Sequence, residues 1–199
     1  EDEGTLRYII TLGSSKDTLP MRFGAVASHT AFLTFLAGGA FADRPVVIEL
    51  FTSQGCSSCP PVDALLGELA EREDVLPLAL HVDYWDNIGW KDAFADPAHT
   101  QRQRNYAQAA GMQTIYTPQM VVGGQDHVVG YKPMKVADLI AKHRDVPEVA
   151  AVKAVRTGAR IEVSVSLTGD APGQSRVLLV TYQPQETVAI RRGENAGQT

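Results

Sequence analysis

The chain has 199 residues, 44% of them hydrophobic and 21% charged, which fits a folded protein of one large domain or one domain with a small appendage. Its 18 Lys and Arg are outnumbered by 23 Asp and Glu, for a net charge of −5, and no basic run exceeds Arg191-Arg192. Nucleic acid, which is held by clustered basic side chains, is therefore not the expected partner.

Met21-Arg22 leads into a mostly apolar stretch, Phe23 to Leu36, which closes on Ala40-Phe41-Ala42. A basic residue, an apolar core and an A-x-A ending read as a secretory signal peptide with cleavage before Asp43. Residues 1–20 are then an upstream stretch outside the fold. The competing reading is a buried N-terminal helix. His29 and several hydroxyl residues interrupt the run, which is too short to be read as a membrane span. The expected location is periplasmic or secreted, with no stable membrane insertion after cleavage, in a compartment where disulfides persist.

From there the elements follow in order. Val46 to Phe51, after Pro45, reads as a buried strand, and Val62, Leu65, Leu66 and Leu69 repeat at helical spacing after Pro60-Pro61. Prolines fit a helix only in its first turn, where the amides have no intrahelical partner. Val75 to Val82 is a second strand, followed by the acidic and aromatic loop Asp83-Tyr84-Trp85-Asp86-Asn87. Asp96-Pro97 opens a helix as N-cap and first-turn proline, and Gly111 ends it. Gln119–Val122 and His127–Gly130 form a hairpin through Gly123-Gly124. Pro133 to His143 places Val136, Leu139, Ile140 and His143 on one helical face.

This β-α-β-α-β-β-α order resembles the thioredoxin arrangement: an α/β fold, a central mixed sheet flanked by helices, over residues 43–147. Beyond residue 148, Ile161, Val163, Val165 and Leu167 alternate, and Val177–Val180 and Val188–Ile190 follow. Residues 148–199 are thus expected to form a small all-β appendage.

The only two cysteines are Cys56 and Cys59, at the first strand–helix junction. A cysteine at a helix N-terminus has its thiolate stabilised by backbone amides and the helix dipole. Cys56 fits the attacking nucleophile as the outer residue, and Cys59, one turn further in and buried, fits the resolving cysteine. A purely structural bond across so short a loop removes little unfolded-state entropy, about 2 kcal/mol. A zinc shell would need two more ligands, and His81, His99 and His127 stand at no spacing that joins them to the pair. No cofactor and no resident metal is expected. Soft Cu(I), which two thiolates alone can hold, stays open as an alternative.

The run Glu49 to Pro61, with its Cys56-Ser57-Ser58-Cys59, is similar to the signature of a bacterial secreted family of unknown function with a thioredoxin-like fold. Blocks at His81–Asp86, Gly89–Asp92, Arg102–Arg104, Tyr116–Met120 and Ala189–Asn195 extend the resemblance from about Pro45 to the end. It implies a redox role and, in Thr117-Pro118, a cis-proline packed against the cysteine pair. The position of thioredoxin's buried acid falls on Leu50, with Glu49 one residue away. Tyr84, Trp85 and Asp86 are candidates to line a substrate groove, against the reading in which the loop merely packs onto the domain. The leading expectation is an exported thiol–disulfide oxidoreductase acting on a protein or small-molecule thiol or disulfide. The alternatives are a binding module with an inert disulfide and a Cu(I)-handling protein.

Overall fold

The structure, a computed structural model, describes residues 8–11, 44–168 and 176–199. The signal-peptide pattern of residues 21–42, its cleavage point and Asp43 lie outside the described residues. The elements are β1 (Tyr8–Thr11), β2 (Val46–Thr52), α1 (Pro60–Ala70), β3 (Val75–His81), α2 (Pro97–Ala109), β4 (Gln119–Val122), β5 (Asp126–Val129), α3 (Pro133–Arg144), β6 (Ala150–Thr157), β7 (Arg160–Leu167) and β8 (Arg176–Leu179).

The expected mixed sheet, flanking helices and C-terminal β appendage are present. The central sheet runs β3-β2-β4-β5, with β2 and β3 parallel and the remaining pairs antiparallel. Successive residues of β2 face opposite sides of that sheet, and the two sides are covered differently. Val46, Ile48 and Leu50 join Met120, Val122 and the apolar faces of α1 and α3 in the larger core. On the other side Phe51 and Val121 pack under Tyr106 of α2 and under Trp85. Val47, Leu76 and Leu78 on that side are covered by Val180 and Tyr182, so the chain beyond β8 returns to the central sheet.

Helix starts follow the local chemistry. Asp96 caps α2 by accepting the Ala98 amide at 2.7 Å, with Pro97 in the first turn. Helix α1 begins at the two prolines themselves. The appendage is a β6–β7 hairpin turned at Gly158, plus β8 paired antiparallel with β1. Tyr8–Thr11, within the stretch placed outside the fold by sequence, therefore has a ladder partner in Arg176–Leu179. Val188–Ile190 has strand composition but is irregular. Ile190 instead donates its amide to Gln198 O at 2.9 Å and accepts from the Gly197 amide at 2.8 Å, closing a local loop.

The β4–β5 turn needs glycine. Gly123 has φ +59°, and a Cβ there would overlap the ring of His143, which is buried and bonded to Asp126 at 2.7 Å. Gly123→Ala is expected to cost about 1–3 kcal/mol from backbone strain and ring displacement, read as a lower urea midpoint at unchanged slope.

Candidate functional site

The cysteine pair sits on the crossing from β2 to α1. The Cys56 amide donates to Ser53 O and the Cys59 amide to Cys56 O, both at 3.1 Å. Cys59 is the N-cap of α1, and its carbonyl accepts from Val62 at 2.8 Å and Asp63 at 3.0 Å. The two cysteines are joined in a disulfide, Cα to Cα 5.4 Å. Ser57 and Ser58 are exposed between them, but Cys56 is only 2% exposed and Cys59 not at all. Cys56, expected as the outer residue, is thus nearly as buried as Cys59, and three other parts of the chain meet around the loop that carries it.

The first of these is the segment before β4. Phe51 pairs with Gln119 in the antiparallel β2–β4 ladder, so continuing the register places Pro118 and Thr117 across from Thr52 and Ser53. The Thr117–Pro118 peptide is cis, and the Pro118 carbonyl accepts the Gly130 amide at 3.2 Å. The second is the aromatic loop after β3. Trp85 donates its indole N–H to Thr117 Oγ1 at 2.7 Å and lies over Gly55, where a Cβ would come within 3.2 Å of the Trp85 Cβ. Trp85 thereby bridges the cysteine loop to Thr117. Tyr84 donates to Gln103 of α2 at 3.1 Å, and Asp86 accepts the Asp92 amide at 3.1 Å. These two side chains tie the loop together, and all three of Tyr84, Trp85 and Asp86 are half-buried.

The third is the C-terminal loop, whose Asn195 donates to Gln54 O and Cys56 O, both at 2.9 Å. Sequence reasoning set this residue only within a block of resemblance, without a role. Asp92, read from the sequence as a flanking acid of the aromatic loop, instead carries a buried carboxylate that holds the Gln54 backbone. One Asp92 oxygen accepts the Gln54 amide at 2.8 Å and pairs with His81 Nδ1 at 2.7 Å, and the other accepts the Phe94 amide at 2.9 Å. Burial would raise the Asp92 pKa, but the His81 bond and charge with the two amides carry it below the ordinary carboxylate value.

Asp63, one turn beyond Cys59 and on the same helical face, takes a 2.6 Å bond from Thr52 Oγ1. Burial raises its pKa, only partly offset by that bond and by His81. The acid on the Thr52 side of the sheet, one turn along α1 from Cys59, is therefore Asp63. Glu49 points to the opposite side of the sheet, where Arg102 grips it with two bonds and Tyr106 adds a third. That cluster pushes the Tyr106 hydroxyl far up, through burial and then the Glu49 charge. Among the described residues no group of three or more His, Cys, Asp or Glu is arranged to hold a metal ion, and no helix is long and apolar enough to cross a membrane.

Residues 47–199 match the family model described as "Protein of unknown function (DUF1223)". The chain belongs to that family. It is also similar to a crystal structure of a protein from Agrobacterium tumefaciens determined by a structural genomics consortium, at 38% identity and a TM-score of 0.57. That likeness covers 63% of this chain and 58% of the other, so the chain spans little more than half of its relative. No curated protein matches.

The two acids carry opposite pH signatures. Asp92, with its folded pKa depressed, contributes stability above its unfolded value that is lost as pH falls through the folded one. Asp63, with its folded pKa raised, imposes a penalty that appears as pH rises above its unfolded value. At pH 7, Asp92→Asn is expected to lower stability by about 1–3 kcal/mol and Asp63→Asn to raise it. Both differences should shrink toward pH 3 in denaturant titrations.

Proposed function

We propose that this family member is an exported thiol–disulfide oxidoreductase of thioredoxin-like fold, with Cys56 as nucleophile and Cys59 as resolving cysteine. The observation that carries the reading is convergence. The cysteine pair opens a helix, and Thr117-Pro118 and Trp85 from two separate loops meet at that same end of the sheet. A stabilising crosslink needs none of these neighbours. An acid and a histidine–carboxylate pair close by, with pKa values moved in opposite directions for the two carboxylates, also favour a chemical site over a passive one. The export and the periplasmic or secreted location rest on the pattern of residues 21–42.

Working as a reductant, the Cys56 thiolate attacks one sulfur of a substrate disulfide and forms a mixed disulfide. The other substrate sulfur leaves as a thiolate and takes up a proton. Cys59 then loses its proton and attacks Cys56 Sγ, closing the protein disulfide and expelling the second substrate thiolate. Two electrons pass from the protein dithiol to the substrate, and the reverse sequence oxidises a substrate dithiol. Thr117 and Pro118 flank the site where an extended protein or small-molecule thiol would lie, and Tyr84, Trp85 and Asp86 form its wall.

A second reading has one observation in its favour: the deep burial of Cys56 suits a binding module with an inert disulfide. The two separate in one experiment. With glutathione disulfide as substrate, reduced Cys59→Ser is expected to accumulate a Cys56–glutathione adduct by mass, while Cys56→Ser forms none. The absence of any adduct on Cys59→Ser would favour the inert module, or a Cu(I) site if the reduced protein binds the metal stoichiometrically.

A further inference from the structure

The carbonyl of Cys56 is held by a residue 139 positions away in sequence. Asn195, 3% exposed, directs one amide nitrogen at two backbone oxygens, Gln54 O and Cys56 O. Its own loop is built to hold it there. The Ile190–Gly197 and Ile190–Gln198 bonds close the loop, and Gly193, at φ +80°, lets the backbone rest against Trp90. Trp90 in turn donates to Gln54 Oε1 at 2.7 Å. The tail thus holds the cysteine loop directly through the Asn195 side chain and packs its backbone on Trp90, which also bonds that loop.

We infer that Asn195 is a positioning residue for the Cys56 thiolate: by holding the Gln54 and Cys56 carbonyls it raises the acidity of Cys56 and shifts the couple toward the dithiol. The inference rests on the redox reading above. Its physical basis is a shortage of donors. Pro60 and Pro61 have no N–H, so the first turn of α1 offers fewer amides to an anion than other helix starts. The Cys59 amide is spent on Cys56 O. Two carbonyl oxygens on either side of the Gly55–Cys56 unit would oppose a thiolate there, and the Asn195 amide compensates both. In a trans peptide the C=O and N–H point in opposite directions, so pinning these two carbonyls also fixes the amides of Gly55 and Ser57.

The test is the pH profile of iodoacetamide alkylation of the full chain carrying Cys59→Ser, in which Cys56 is the sole thiol. With Asn195 present, the midpoint is expected below the free-thiol value of about 8.5. N195A should raise it by about one unit, a tenfold loss of thiolate at neutral pH. In the two-cysteine protein, equilibrated with glutathione at a pH above both midpoints, the same variant should shift the couple toward the disulfide by up to tenfold, about 30 mV for a two-electron couple. N195D keeps the shape but turns a carboxylate oxygen toward the carbonyls, and should raise the midpoint further. It decides the matter if N195A fails to fold. W90F, which loses only the bond to the Gln54 side chain, should leave the midpoint unchanged. A folded N195A or N195D with an unmoved midpoint would overturn the role of Asn195 while the redox reading stands. A midpoint at or above 8.5 with Asn195 in place overturns both.

Discussion

The loop from Ser53 to Cys59 leaves a sheet and enters a helix under cover, and its backbone polar groups have no ladder to join. Buried amides and carbonyls that lack partners are costly, so those not paired within the loop must find a donor or acceptor from elsewhere in the chain. Three of them are met from the far side of the fold. Asp92 takes the Gln54 amide, and Asn195 takes the Gln54 and Cys56 carbonyls. This requirement draws the loop after β3 and the C-terminal tail onto the cysteine pair. The conformation of the pair therefore depends on residues that do no sulfur chemistry.

Asp92 is well suited to that position because its carboxylate is itself fully engaged. Two amides and His81 surround it, so its charge is stabilised although the side chain is shielded from water. Asp63 stands in a contrasting environment a short distance along α1, with one hydroxyl donor and more desolvation than compensation. The two carboxylates thus sit in environments that move their proton affinities in opposite directions.

Much of the scaffold was legible because its signals are local. The apolar run of β2, the spacing of Val62, Leu65, Leu66 and Leu69, the Asp96-Pro97 start and the glycine turn of the hairpin all appear at the expected places. What escaped was long-range. Glu49 alternates with Leu50 along β2, so the two face opposite sides, and only the fold brings Arg102 and Tyr106 to the Glu49 side. The burial of Cys56 depends on covering loops that periodicity along the chain does not describe. Val188–Ile190 illustrates the converse error: β-branched composition without a neighbouring edge to pair with gives no strand. Asn195 carried one faint signal, a polar residue enclosed by Gly193 and Gly197 where the chain must turn sharply.

The redox proposal turns on whether Cys56 and Cys59 form a working couple despite their burial. Equilibrating the intact chain in glutathione buffers, with thiols scored by alkylation and mass, tests this most directly. A potential between about −120 and −270 mV, the range spanned by exchange proteins, is the predicted result. Resistance to reduction below about −300 mV would mark a structural disulfide and overturn the redox proposal.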